Sequence, residues 1–152
     1  MSTVKARNAL QQYGKVGTQS DLAYASPHRL IQMLIDGALD KLAVAKGHME
    51  RGEIASKGNY ISWAISIIEG LRVSLDSDQG GEIATNLEAL YDYMERRLVE
   101  ANAKNDVGMI DEVVGLLRTV KEAWDAIPKE VQDDYAQQEH ADSATHNVTG
   151  KL

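Results

Sequence analysis

Along four stretches of the chain, apolar residues recur at steps of three and four, which gathers them on one side of an α-helix. The first stretch opens at Ser26-Pro27. Serine is a favoured N-cap, and proline at the first helical position gives up no hydrogen bond. Ile31, Leu34, Ile35, Ala38, Leu42, Ala45 and Met49 form its stripe, and Gly52 supplies the stop. Leu30, Met33 and Leu39 fall outside that stripe. This helix is therefore apolar over more than the usual face and is expected either to be central or to line a groove. The second stretch, Ile54 to Leu75, turns Ile61, Ala64, Ile65, Ile68, Leu71 and Leu75 inward, with Tyr60, Trp63 and Ile67 as a second stripe beside them. Residues 76–81, DSDQGG, read as a loop. A third helix begins near Glu82 along a seam of Ile83, Leu87, Leu90, Met94, Leu98 and Ala101, flanked by Tyr91 and Tyr93 on opposite sides. The segment from Asn102 to Asp106 breaks the pattern and supplies a cap. The fourth stretch buries Ile110, Val113, Val114, Leu117, Val120, Trp124 and Ile127, turns Asp111, Glu112, Arg118, Glu122 and Asp125 outward, and ends at Pro128.

Four helices of about twenty residues joined by short links pack most simply as antiparallel neighbours, so the pattern predicts an all-α, up-down-up-down four-helix bundle about 30 Å long over residues 26–128. Residues 1–25 form an arm with sparse apolar positions, expected to be mobile unless Leu10, Tyr13 and Val16 dock it. Residues 129–152 carry two lysines against five acids and predict a disordered polar tail, in which VQDDYA could add a turn that docks Val131 and Tyr135.

Composition narrows the function. At 152 residues and 43% hydrophobic the chain can bury a core without disulfides, and it has no cysteine, which removes thiolate metal sites and cysteine nucleophiles. Sixteen basic against 23 acidic residues give a net charge of -7, which disfavours nucleic acid as a partner. With no long apolar run and no apolar signal core at the start, the expectation is a cytoplasmic protein that does not insert in membranes. No histidine has an acid three residues before it, no glycine-rich phosphate loop occurs, and Asp36 and Asp40 read as a solvated helix face. No catalytic residue, metal or cofactor is therefore expected, and each histidine reads as a surface or capping residue. What remains is an interaction protein. Its surplus apolar residues, Leu30, Met33, Leu39, Tyr60, Trp63, Ile67, Tyr91 and Tyr93, suggest grooves for an amphipathic segment.

At SPHRLIQMLIDGAL, then SLDSDQGGEIATNLEALYDYMERRLVEANAKND, then the Ala123-Trp124 pair, the sequence resembles the FliS family of flagellar secretion chaperones, in one order from about Tyr13 to Ile127. The resemblance implies a non-enzymatic bundle that clasps the disordered C-terminal segment of flagellin, blocks premature polymerisation and delivers it to the flagellar export gate protein. Tyr13, in QQYGKV, matches the tyrosine of the family's N-terminal arm, which covers part of the cargo groove and is associated with export-gate docking; Leu10 matches the apolar position before it, and Val16 follows on the same arm. Asp36 and Gly37 match the DGA of helix 1, where Ile35 replaces a common aromatic. Asn86, Tyr91, Tyr93, Arg97, Asn102 and Asn105 match the signature of the third helix and its turn, and the two last asparagines also read as caps. Residues and resemblance together give Leu30, Met33, Leu39, Tyr60, Ile67, Asn86, Tyr91, Tyr93 and Arg97 as the expected flagellin-binding groove. A weak homodimer is counted among the expected associations. The alternative reading is a helical adaptor or histidine phosphotransfer-like module, for which His48 in AKGHMERG is the nearest acceptor.

Overall fold

Helix boundaries follow the cap chemistry in the sequence. The computed structural model describes residues 4–8, 25–75 and 77–132, and its four long helices are α1 (Pro27–Glu50), α2 (Ile54–Val73), α3 (Ser77–Lys104) and α4 (Val107–Asp125). The Ser26 hydroxyl accepts the Arg29 amide at 3.1 Å, one turn into α1. At the other end Gly52 takes φ +72°, its amide donates to the Met49 carbonyl, and the Glu53 amide reaches back to His48, the paired bonds of a Schellman stop. Gly81, with φ 54° and ψ -128°, breaks α3 after a first turn, so the continuous part starts at Glu82 as the pattern predicts. The turn into α4 divides two roles between neighbours. Asn105 adopts the left-handed conformation, and the Asp106 carboxylate accepts the Met109 amide at 3.2 Å. Asn102 is not a cap: it lies inside α3.

Each helix packs on the next, and α4 returns to α1, which closes an antiparallel ring. No strand occurs among the described residues. α1 is the most enclosed helix. Leu30, Ile31, Met33, Leu34, Ile35, Ala38, Leu42, Ala45 and Met49 are all buried, well over half of its circumference. Leu30 and Met33 therefore belong to the core rather than to a surplus. On α2 the core includes Ile67, so the buried face is turned towards the stripe read as lateral, and Ile65 is only half-buried. On α3 the seam runs Ala84, Leu87, Tyr91, Met94, Leu98 and Ala101, an unbroken alternation of three and four. Tyr91 is thus a core residue, and Ile83, expected in the seam, is 72% exposed.

Two further corrections concern the ends. Residues 4–8 are helical and Ala6 is fully buried in the core, so this part of the arm is docked rather than mobile; Leu10, Tyr13 and Val16 lie outside the described residues. Pro128 opens another turn at residues 129–132, with the Val131 and Gln132 amides donating to its carbonyl, but Val131 points to solvent and does not dock. Tyr135 lies outside the described residues. His28 is no surface residue. It stacks on Trp124 with ring centroids 4.9 Å apart, the Trp124 indole donates to the His28 carbonyl, and burial lowers its pKa against the opposing pull of Asp125. This contact ties the start of α1 to the end of α4.

Two cations tie α2 to α3, one buried and one partly exposed. Lys57 is buried, and its ammonium donates to the Asn102 carbonyl at 2.9 Å and to Asn105 Oδ1, which places a cation on the C-terminal carbonyls of α3 where the helix dipole favours it. Lys57→Met should cost about 1–3 kcal/mol in urea unfolding, because those acceptors would be left without a donor. At the opposite end Arg72 lies among Glu69, Glu88, Asp92 and Glu95, with Glu95 Oε2 at 3.3 Å and only 14% of the Glu95 side chain exposed. Burial, and then the neighbouring Glu69, push the Glu95 carboxyl up to about 7, against Arg72. A carboxyl raised on folding stabilises the fold while it is protonated, and that contribution is lost as pH rises through the folded value. The stability gained by Glu95→Gln should thus be larger at pH 8 than at pH 5 by on the order of 1–3 kcal/mol. Comparing urea midpoints of both proteins at both pH values cancels the opposite effect of His28. A difference that stays flat with pH would contradict this.

Candidate functional site

The nine groove residues expected from the sequence do not form one surface. Leu30, Met33, Ile67 and Tyr91 lie in the core. Leu39 is half-buried on the side of α1 that meets α4, a side fixed by the Lys121–Asp36 pair at 2.6 Å and the Lys46–Asp111 pair at 2.9 Å. Tyr60 belongs to the α1–α2 seam, where it stacks between His48, at 5.4 Å, and Trp63, at 5.9 Å; the Lys41 ammonium sits 3.9 Å over the Trp63 ring. His48 in turn is engaged at Nδ1 by Arg51 and Glu53, so the imidazole proposed as a phosphoryl acceptor is a packed and hydrogen-bonded group. Tyr93 and Arg97 lie on the α3–α4 seam, and Asn86 is exposed near the start of α3.

That last seam is tied by polar contacts at one end. The Tyr93 hydroxyl donates to Glu112 Oε2 and Arg97 Nε donates to Glu112 Oε1, both at 2.7 Å, while Arg97 also reaches Glu100 at 3.1 Å. These bonds hold the Glu112 carboxyl below its ordinary range and the Tyr93 phenol above its own. They also fix the register of two antiparallel helices. One, two and three turns towards the start of α3, the same side carries Leu90, Asn86 and Ile83; the facing stretch of α4 carries Leu116, Val120 and Ala123. Leu90, Leu116 and Val120 are half-buried, and even Leu87, at the centre of the core face of α3, is only half-buried. From the Tyr93–Arg97–Glu112 clamp to Ile83, then, the α3–α4 seam is an apolar strip that the bundle covers incompletely.

Leu116 and Val120 are the residues that sequence reasoning missed as site candidates. Leu116 is off the α4 seam, and its signal was present: with Met109 it makes a second apolar line on a helix whose outer face is otherwise charged. Among the described residues no group of three or more acidic or histidine side chains could hold a metal ion, and no helix is long and apolar enough to cross a membrane.

A closed ring of four antiparallel helices with an incompletely covered apolar strip on its α3–α4 seam defines an all-helical bundle protein. The family model described as flagellar protein FliS matches residues 9–131. The chain is 52% identical over 122 residues, 80% of its length and 97% of the relative's, to the flagellar secretion chaperone FliSB of Pseudomonas aeruginosa. It is 49% identical to the flagellar secretion chaperone FliS of Salmonella typhimurium, over 79% of this chain and 90% of that one. The corresponding protein of Vibrio cholerae is 45% identical over 82% and 91%. This chain belongs to the FliS family.

Proposed function

We propose that the protein is a flagellar export chaperone that acts in the cytoplasm on the C-terminal segment of flagellin, keeps it from polymerising and passes it to the export gate. Family membership supports the flagellar secretion role, since the relatives bear that name. The observation that carries the finer reading is the incompletely covered α3–α4 strip, with Ile83 and Asn86 exposed, Leu90 and Leu116 half-buried, and the Tyr93–Arg97–Glu112 clamp at its end. An amphipathic segment laid along it would bury one face against apolar side chains and turn its polar face to water. Each leucine-sized side chain fully buried contributes about 1.5–3 kcal/mol, while ordering a disordered segment costs about 2–5 kcal/mol or more. A long contact of this kind is firm enough to prevent self-assembly and still reversible, so cargo release needs no nucleotide.

In this reading Asn86, Tyr93 and Arg97 touch the cargo directly. Leu39 and Tyr60, on other seams, extend the path for a segment that wraps the bundle. Leu30, Met33, Ile67 and Tyr91 shape the groove from beneath by setting the helix positions. Leu10, Tyr13 and Val16 of the arm are assigned to export-gate docking, following the family resemblance.

Titration calorimetry with a synthetic flagellin C-terminal peptide should give a one-to-one complex with a negative heat-capacity change. Leu116→Glu should weaken it by about tenfold or more, since a charge would stand where an apolar contact forms, with helix content by circular dichroism unchanged. Removing residues 133–152 should leave affinity within about twofold, because that segment is polar. A peptide that does not bind, or binds the Leu116→Glu variant as tightly as the parent, would contradict the assignment of the site.

A further inference from the structure

The tie between the start of α1 and the end of α4 contains a hydrogen-bond chain whose direction is fixed from outside. Gln32 Nε2 lies 2.7 Å from Asp125 Oδ1, and Gln32 Oε1 faces an Arg29 guanidinium nitrogen at 3.5 Å. A carboxylate only accepts and a guanidinium only donates, so the amide nitrogen belongs on Asp125 and the amide oxygen on Arg29. The same nitrogen is 3.2 Å from His28 Nε2. An amide nitrogen offers no lone pair, so His28 Nε2 has to accept. The ring is therefore the neutral tautomer that carries its proton on Nδ1.

A proton on His28 Nε2 would set one N–H against another. Turning the amide over gives no escape, because its oxygen would then face Asp125 and its nitrogen Arg29. The charged ring is drawn instead towards Asp125, and Gln32 has to give way. The charges around this bridge are Arg29 and Asp36 from α1 and Lys121 and Asp125 from α4, two of each sign, and of these Asp125 acts on the ring itself. His28 is only 8% exposed and stacks on Trp124 with the planes 8° apart, while the Trp124 indole donates to the His28 carbonyl at 2.9 Å. A ring that moves thus disturbs the contact that holds the end of α4.

We propose that His28, Gln32 and Asp125 form a proton-operated latch between α1 and α4, closed while His28 is neutral and opened when it is charged. Its place in the fold gives the consequence. His28 stands three residues after Ala25, where the arm joins the bundle, and Trp124 follows Ala123 at the end of the strip. Opening loosens the root of the arm and the last turn of α4 together, while the Lys121–Asp36 pair, one turn beyond Gln32 on α1, keeps the two helices side by side. Burial holds the ring below the ordinary histidine range, so the latch is closed at neutral pH. Its contribution to stability is complete above the ordinary value and is lost as pH falls through the lower, folded one. The device does not depend on what the strip carries.

Nuclear magnetic resonance of the full chain with nitrogen-labelled histidine tests both halves of the proposal. At about pH 7.5 His28 should show the proton on Nδ1, a reading made on the unaltered protein. On acidification to about pH 5, amide protection factors should fall for residues 25–32 and 121–127 with the midpoint of the His28 titration, while those of α2 and α3 hold. Trp63→Phe leaves Trp124 as the one tryptophan of the chain, and its fluorescence should shift with that same midpoint. Gln32→Glu puts an acceptor where the donor stands, so His28 should titrate about one pH unit higher or more. A proton on Nε2 at neutral pH would overturn the latch, as would an unchanged His28 midpoint in the Gln32→Glu variant. Protection lost evenly over all four helices would also overturn it, since that is global unfolding and not a local opening.

Discussion

A helix that is apolar around most of its circumference has to be enclosed, and α1 imposes that constraint on the rest of the chain. Leu30, Ile31, Met33, Leu34, Ile35, Ala38, Leu42, Ala45 and Met49 are buried, and the remaining side carries Gln32, Asp36 and Lys46. α2 and α4 flank it, and α3 completes the ring opposite, packed on α2 and α4 rather than on α1. The apolar surface of α1 is closed over by its neighbours, while at the start of α3 Ile83 is left in solvent and Leu87 half-covered.

Polar contacts then decide where the seams are tied. Lys121–Asp36 and Lys46–Asp111 link α1 to α4, and Arg72 with its four carboxylates links α2 to α3. Such partly exposed pairs contribute little stability individually, but they set register. On the α3–α4 seam two polar ties converge on Glu112, at the Tyr93–Arg97 end. The other half of that seam is held by half-buried apolar side chains, which a partner's apolar face can extend. A chaperone of an export-bound chain needs this combination: a scaffold fixed elsewhere, and a strip whose contacts are non-directional enough to be made and broken.

The fold was legible because helix signals are local. Ser26-Pro27, Gly52, Gly81 and Asp106 all act where they stand, and a period of three to four residues survives any tertiary arrangement. The family was legible from the α3 block. The site was read less well, because burial depends on neighbours that periodicity does not name. Ile83 fits the α3 seam by spacing, yet sits at the end of the helix where nothing covers it, while Tyr91, one position beyond Leu90, is drawn fully inside. Leu30 and Met33 fall outside the stripe by spacing, which left α1 either central or lining a groove, and only the neighbours that bury both residues make it central. Leu116 went unnoticed because it falls off the α4 seam.

The central claim is that cargo lies along the α3–α4 strip, and amide hydrogen exchange of the chaperone with and without flagellin tests it most directly. Slowed exchange confined mainly to residues 83–90 and 114–123, with the α1–α2 seam unchanged, is the result this account predicts. Protection centred on α1 and α2 around Tyr60 and Trp63, with the first half of α3 exchanging as in the free protein, would contradict it.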